Sequence, residues 1–85
     1  MYVIIVYDCE EDRTDFPRKL LRRYLVHVQN SVFEGSVTEG QMKEIESNLK
    51  EYHKKGESII IYKMPEHKVS RKVMGNDPTE DDKFI

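Results

Sequence analysis

The chain has 85 residues, enough for one small domain but too few for two hydrophobic cores. Hydrophobic residues make up 38% and charged residues 35%, which favours a globular domain over a disordered tail, and one cysteine excludes an internal disulfide framework or a cysteine-rich zinc site. Before the positions of the charges are considered, the formal net charge of -2 argues against a general polyanion binder.

The apolar run near the N-terminus, residues 2–7, is far shorter than the roughly 20 residues that a membrane-spanning helix needs. No basic segment precedes it, as one would in a signal peptide. We therefore expect a soluble cytoplasmic protein without membrane contact. A domain this small buries only about 60% of its unfolded surface, so we also expect a partner subunit to stabilise it.

The first two predicted elements are a strand and a helix. Residues 2–7 are β-branched or aromatic throughout, which is typical of a strand buried on both faces. Apolar residues at helical spacing then predict a helix over about residues 16–24. The buried stripe of this helix is predicted to consist of Phe16, Leu20, Leu21 and Tyr24.

Two short strands and a second helix are predicted next. Apolar and polar residues alternate over residues 26–30 and 32–37, which predicts two strands joined by a turn. Thr38 and Gln41 have the form of a capping box that opens a helix, and Gly56 is its expected stop. The apolar face of this helix is predicted to consist of Met42, Ile45, Leu49 and Tyr52.

The last apolar run, residues 58–64, is closed by Pro65 and predicts a strand beside the first one in the interior of the sheet. The order βαββαβ predicts a ferredoxin-like α+β fold, with both helices on one face of a four-stranded antiparallel sheet. We divide the chain into a core domain, residues 1–66, and a C-terminal strand and acidic tail, residues 67–85. Within that tail, residues 69–73 are the candidate fifth strand, which we expect to pair with the sheet edge of a second protomer.

Asp8 is the candidate catalytic residue. A carboxylate at the end of a buried strand is held rigidly and stays reachable from solvent. An Asp after a strand also commonly caps the following turn through its side chain, and on the residues alone this alternative stays open. The acids that follow it either add metal ligands or complement the dipole of the next helix; they are Glu10, Glu11 and Asp12.

The charges are segregated along the chain. Residues 13–23 carry five basic side chains and one acidic one, a net charge of +4, which leaves -6 for the rest. Arg18 and Arg22 fall on the side of the first helix opposite its buried stripe, where arginines contact phosphates without reading the base sequence. A helix face that is merely solvated is the alternative.

Four segments, in order over nearly the whole chain, carry a resemblance to a known family. They are Tyr7-Asp8, Val-Gln-Asn-Ser-Val-Phe-Glu-Gly at residues 28–35, Ile-Ile-Tyr at 60–62 and Met-Gly-Asn-Asp-Pro-Thr-Glu-Asp at 74–81. In this order and spacing they resemble the small CRISPR-associated adaptation proteins, and the tail is most similar to archaeal members. His27 is a departure, because many relatives carry a glycine or a basic residue there.

The resemblance implies a ferredoxin-like homodimer that partners the spacer integrase, bridges its subunits and binds duplex DNA. It also implies a metal-dependent endonuclease that cleaves RNA, including single-stranded RNA, or DNA. Asp8 would be both the catalytic and the metal-binding residue, with one Mg²⁺ shared by the two copies of Asp8 across the two-fold axis. Such a metal lowers the pKa of a bound water and stabilises charge on the phosphodiester.

Further site residues follow from the same resemblance. Basic residues of the first helix region are associated with the nucleic-acid backbone in the family, which implies this role for Arg13 and Arg18, and the charge pattern adds Arg22. The family links the residues matching Ser31 and Phe33 to activity, while packing of Phe33 in the core is an equal alternative.

Two other functions stay open. The first is a purely architectural DNA-binding dimer without physiologically relevant nuclease activity. The second is a ferredoxin-like RNA-binding module, which stacks bases on aromatic residues of the sheet within a Lys/Arg-Gly-Phe-Gly-Phe-like motif. No such motif occurs in this sequence.

Overall fold

A computed structural model describes residues 1–79, which form a four-stranded antiparallel sheet with two helices packed on one face. The ferredoxin-like α+β prediction and the order βαββαβ are confirmed. In chain order the elements are β1 (Tyr2–Asp8), a 3₁₀ turn (Glu11–Arg13), α1 (Asp15–Leu21), β2 (Val26–Gln29), β3 (Val32–Ser36), α2 (Glu39–Tyr52), β4 (Ser58–Met64) and a second 3₁₀ turn (Glu66–Lys68). No helix within these residues is long and apolar enough to cross a membrane.

The core lies between the sheet and the two helices. Alternate residues of β1 turn toward the helices and are buried, as the two-residue period of a strand requires. They meet buried side chains of β3, α1 and α2, and each large side chain removed from water contributes about 1.5–3 kcal/mol to folding. The principal members of this core are Val3, Ile5, Tyr7, Leu20, Leu21, Phe33, Met42, Ile45 and Leu49.

The strand order is β2-β3-β1-β4, so β1 is central and β4 lies at an edge. The prediction that β4 occupies the interior of the sheet is therefore wrong, although β4 does pair with β1. Both faces of β4 are apolar for a reason other than an interior position. Ile59 and Ile61 pack against the core, whereas Ile60 and Tyr62 lie on the opposite face of the sheet and are 47% and 53% exposed.

α1 is shorter than predicted and turns a different side to the core. It ends at Leu21, so Tyr24 lies outside the helix and is only half-buried. Pro17 takes a buried position, which its missing N–H allows because the first four amides of a helix have no partner within it. Phe16 is 39% exposed and stacks on Tyr52 of α2, with ring centroids 4.4 Å apart. The predicted stripe is thus correct for its two leucines and wrong for Phe16.

α2 begins as predicted and ends earlier. The amide of Gln41 donates to the Thr38 hydroxyl at 3.1 Å, and the Thr38 amide donates to the Gln41 side chain at 3.0 Å, so the capping box is confirmed. The helix stops at Tyr52, four residues before the predicted stop. Gly56 instead has φ = 92° and lies in the turn that leads into β4, a backbone conformation that favours glycine.

After the second 3₁₀ turn the chain passes over the sheet face opposite the helices. Residues 69–73 pair with no strand within residues 1–79, and their pairing with a second protomer stays a prediction. The Arg71 side chain donates to Glu34 of β3 and to Asp77, which fixes this segment near β1 and β3. The acidic end of the predicted tail, residues 80–85, lies outside the described part of the chain.

Candidate functional site

Asp8 is the last residue of β1 and lies opposite Ser58, the first residue of β4. The alternation of β1 directs it to the sheet face away from the helices, where it is exposed. Its carboxylate makes no hydrogen bond or ion pair with any residue in the range 1–79. A turn-capping side chain would accept a backbone N–H two residues on. The geometry therefore favours a carboxylate available to a ligand over a capping residue.

An open surface pocket of about 320 Å³ lies beside Asp8. Its two walls are the loop that leaves β1 and the turn that enters β4, so the strand pairing between β1 and β4 sets their separation. The pocket combines carboxylates with one ammonium group. This polar lining suits a hydrated ion or a phosphate better than an apolar ligand. Its lining consists of Asp8, Cys9, Glu10, Lys55, Gly56 and Glu57.

One chain does not assemble a metal cluster within the described residues, since no group of three or more His, Cys, Asp or Glu side chains converges there. Mg²⁺ keeps several waters and needs only one or two carboxylates together with phosphate oxygens. An exposed carboxylate without a protein partner, as at Asp8, fits this donor set. Glu11 and Asp12 lie instead in the 3₁₀ turn, where they complement its N-terminal end.

Arg13 is engaged in contacts within the chain. Its Nε donates to Glu57 at 2.7 Å, and its Nη2 donates to the Tyr52 carbonyl at 2.7 Å. The guanidinium lies over the Tyr52 ring, 4.2 Å from the centroid, and the side chain is only 16% exposed. The Arg13 hydrogen bond holds the pKa of Glu57 below its ordinary value. These contacts support a structural role for Arg13 rather than the predicted phosphate contact.

Arg18 and Arg22 lie on the solvent side of α1, as the sequence predicts. Arg18 is 44% exposed and forms an ion pair with Asp15, three residues before it. Such an exposed pair contributes only a few tenths of a kcal/mol, so a phosphate can displace Asp15. Arg22 forms the C-cap of α1 with an exposed side chain. The structure thus leaves this helix face basic and accessible.

Phe33 lies fully buried in the core, where its ring stacks on His27 with centroids 4.5 Å apart. This geometry favours the packing alternative for Phe33 and gives His27 a role in covering it. Ser31 contacts the residue that precedes Asp8: its carbonyl accepts the Tyr7 amide at 3.1 Å, and its side chain hydrogen-bonds to Tyr7. Burial raises the pKa of Tyr7, and the Ser31 hydrogen bond opposes part of that rise. Ser31 therefore supports the end of β1.

Sequence reasoning missed Glu57 and Tyr52 as neighbours of the Asp8 loop. Both are more than 35 residues away from Arg13 along the chain: Glu57 meets it because β1 and β4 pair, and Tyr52 because the end of α2 packs beside α1. The available signal was indirect: an acidic residue immediately precedes the strand that was predicted to lie beside β1.

Comparison with protein families gives one match that spans most of the chain. Residues 1–72 match the family described as CRISPR associated protein Cas2. The chain is 42% identical over 84 residues to the "CRISPR-associated endoribonuclease Cas2" of Thermococcus kodakarensis, covering 95% of this chain and 98% of that one. It is 43% identical over 77 residues to the protein of the same name from Methanothermobacter thermautotrophicus, covering 88% and 85%.

Solved structures give the same picture. A crystal structure of Cas2 superposes with a TM-score of 0.79 at 43% identity, covering 91% of this chain and 88% of that one. Streptococcus pyogenes Cas2, crystallised at pH 6.5, superposes with a TM-score of 0.70 at 30% identity, covering 86% of this chain and all of that one.

Proposed function

This chain belongs to the Cas2 family of CRISPR-associated proteins, and we propose that it acts as a homodimeric, metal-dependent endoribonuclease with Asp8 as its catalytic carboxylate. The observation that carries the proposal is the exposed Asp8 carboxylate, which has no protein partner within residues 1–79 and lies at a rigid strand end beside an open polar pocket. Relatives about 42% identical over most of the chain are named endoribonucleases.

The sheet face opposite the helices supports a dimer. Apolar side chains of two neighbouring strands lie on it, where Ile4 is opposite Tyr62 and Val6 is opposite Ile60. Contiguous, partly exposed apolar side chains of this kind mark interaction surfaces. Asp8 lies on the same face, so in a two-fold dimer formed through it both copies of Asp8 would lie on the apposed faces, and an axis parallel to β1 would place both at the same end.

Residues of the chain itself would bind the metal ion and neutralise the phosphate. Asp8 of each copy would hold the divalent cation, Mg²⁺ being the proposed ion. When bound, such a cation lowers the pKa of a water and stabilises charge on the phosphodiester. Lys55, on the pocket wall, would neutralise a phosphate oxygen. Cys9 is a poor nucleophile, because burial raises the pKa of its thiol.

The basic face of α1 supports nucleic-acid binding. Arg18 and Arg22 would contact phosphates of single-stranded RNA or duplex DNA, since these contacts do not depend on the base sequence. Bridging of the spacer integrase in the cytoplasm is the partner role that the family resemblance implies, and it belongs to the same proposal. A purely architectural dimer is the second candidate, favoured by the lack of a complete metal cluster within residues 1–79 of one chain.

Asp8→Asn tests the proposed catalysis. It should lower Mg²⁺-dependent cleavage of single-stranded RNA by at least about 100-fold, because the metal loses its charged ligand. The dimer, measured by sedimentation, and the circular dichroism spectrum should not change. Glu11→Gln is the matched control, since it removes an exposed carboxylate from the same loop and should leave cleavage intact. Undiminished cleavage by purified Asp8→Asn would refute the nuclease and leave the architectural dimer.

A further inference from the structure

We propose that Arg13 is a positioning residue that, through Glu57 and Tyr52, holds the Asp8 loop against the turn preceding β4. The structural part of this proposal stands on the contacts alone. Its catalytic part, that the loop must be held for Asp8 to act, rests on the proposed nuclease function.

The ion pair between Arg13 and Glu57 lies next to the point where β1 ends and β4 begins. Asp8 pairs with Ser58 across β1 and β4. Arg13 follows Asp8 by five residues and Glu57 directly precedes Ser58, so a bond between their side chains links the two backbone segments that leave this pair. Those segments are the two walls of the pocket beside Asp8. Loss of the link would free one wall to move relative to the other.

The contacts are numerous and mutually supporting. Arg13 reaches both carboxylate oxygens of Glu57, with Nε at 2.7 Å and Nη2 at 3.3 Å. The Tyr52 hydroxyl donates to the Arg13 carbonyl at 2.8 Å, which is reciprocal to the Arg13 bond to the Tyr52 carbonyl. A planar guanidinium makes such a two-point contact and also stacks on an aromatic ring, whereas an ammonium group does neither as well. Lysine should therefore be a poor replacement for Arg13.

The same contacts argue against direct phosphate binding by Arg13. Its Nε and Nη2 donors are used within the chain, and its charge is matched by a carboxylate that is itself only 9% exposed. A phosphate would have to displace that carboxylate and leave it without its partner. Breaking one half of a partly buried ion pair costs more than separating an exposed pair such as Arg18 with Asp15.

A comparison of two single variants and their combination tests the catalytic part. Arg13→Gln and Glu57→Gln should each lower kcat for RNA cleavage by about 10-fold, the range for residues that orient a metal-site ligand. The double variant should be no worse than Arg13→Gln alone, because that variant already lacks the ion pair with Glu57. Lys43→Gln removes one exposed charge from α2 and is the matched control. Additive losses, or a loss in Arg13→Gln alone, would overturn the proposal.

The salt dependence of RNA binding distinguishes a positioning residue from a phosphate contact. If Arg13 only positions the loop, the slope of log affinity against log salt should be the same in Arg13→Gln and in the wild type. A slope reduced by roughly 0.7 for single-stranded RNA would mean that Arg13 contacts a phosphate, and would overturn the proposal.

Amide hydrogen exchange tests the structural part without any catalytic readout. The Arg13 amide donates to the Glu10 carbonyl and the Glu57 amide donates to the Lys54 carbonyl, one bond in each wall. Both amides should exchange faster in Glu57→Gln and, to a smaller extent, in Tyr52→Phe, which keeps the ring. Wild-type exchange in both variants would refute the link even if Asp8→Asn abolishes cleavage. Faster exchange would uphold it even if Asp8→Asn retains cleavage.

Discussion

The guanidinium of Arg71 donates two parallel hydrogen bonds, each 3.0 Å long, to the two carboxylate oxygens of Asp77. The same guanidinium donates to Glu34 in β3, and Asp77 also accepts the amide and the hydroxyl of Thr79. Thr79 itself is buried, only 4% exposed. One arginine thus connects the chain after β4 to the face of the sheet.

Acid should release this segment. Arg71 and, next, the Thr79 hydrogen bonds hold the pKa of Asp77 well below its usual range. Because the unfolded state binds the proton more readily, the contribution of Asp77 to stability is present above its ordinary pKa of about 4 and is lost as the pH falls toward the lower folded value.

The measurement is hydrogen exchange of the Thr79 amide between pH 7 and pH 2, corrected for the intrinsic rate. Protection of this amide should fall by about tenfold as the pH drops below 4, because one hydrogen bond is lost. Asp77→Ala, which removes the acceptor of the Thr79 amide, should show weak protection at every pH, and Lys72→Gln should behave as the wild type. Protection that is independent of pH in the wild type would contradict this assignment.

Removal of the two exposed arginines of α1 should weaken nucleic-acid binding in a salt-dependent way. Arg18→Ala combined with Arg22→Ala is expected to reduce the slope of log affinity for duplex DNA against log salt by up to about 1.8, since each lost phosphate contact removes roughly 0.9. Lys43→Ala, on the exposed side of α2, should leave the slope unchanged. An unaltered slope in the arginine variant would show that nucleic acid does not lie on α1.

A charge on the apolar sheet face should weaken the dimer. Ile60→Lys is chosen because Ile60 is about half exposed in a single chain, so the substitution spares the core. The dissociation constant should rise by at least about tenfold, because burying an isoleucine is worth roughly 1.5–3 kcal/mol and burying an ammonium is unfavourable. Sedimentation equilibrium measures it, with Ser47→Lys on α2 as the control. If both variants dimerise as the wild type, the interface lies elsewhere.

Much of the fold could be predicted because each element bears its own periodic signal. The capping box at Thr38 and the apolar face of α2 depend only on residues close together in the sequence, so both could be predicted without knowing the rest of the fold. The interior position that the sequence predicts for β4 is wrong for a physical reason. A strand that is apolar on both faces is usually interior, but the outer apolar face of β4 is exposed in a single chain, with Ile60 as an example.

The site was predictable only in part. Asp8 could be proposed because a carboxylate that ends a strand is visible in the sequence, and the family resemblance favoured it over a turn cap. The bond between Arg13 and Glu57 could not, because the two residues are 44 positions apart and their meeting depends on the register of β1 against β4. The family resemblance therefore implied a phosphate contact for Arg13, whereas the fold engages its side chain with Glu57 and Tyr52.

The position of β4 has a practical consequence for handling the protein. Its outer edge has no neighbouring strand within residues 1–79, and it presents three consecutive isoleucines followed by a tyrosine. Unpaired edges of this composition recruit further strands and lead to precipitation. Lys63 is the one charged residue of β4, so little opposes such growth. Among variants that dissociate the dimer into single chains, those that add a charge to β4 should therefore aggregate least.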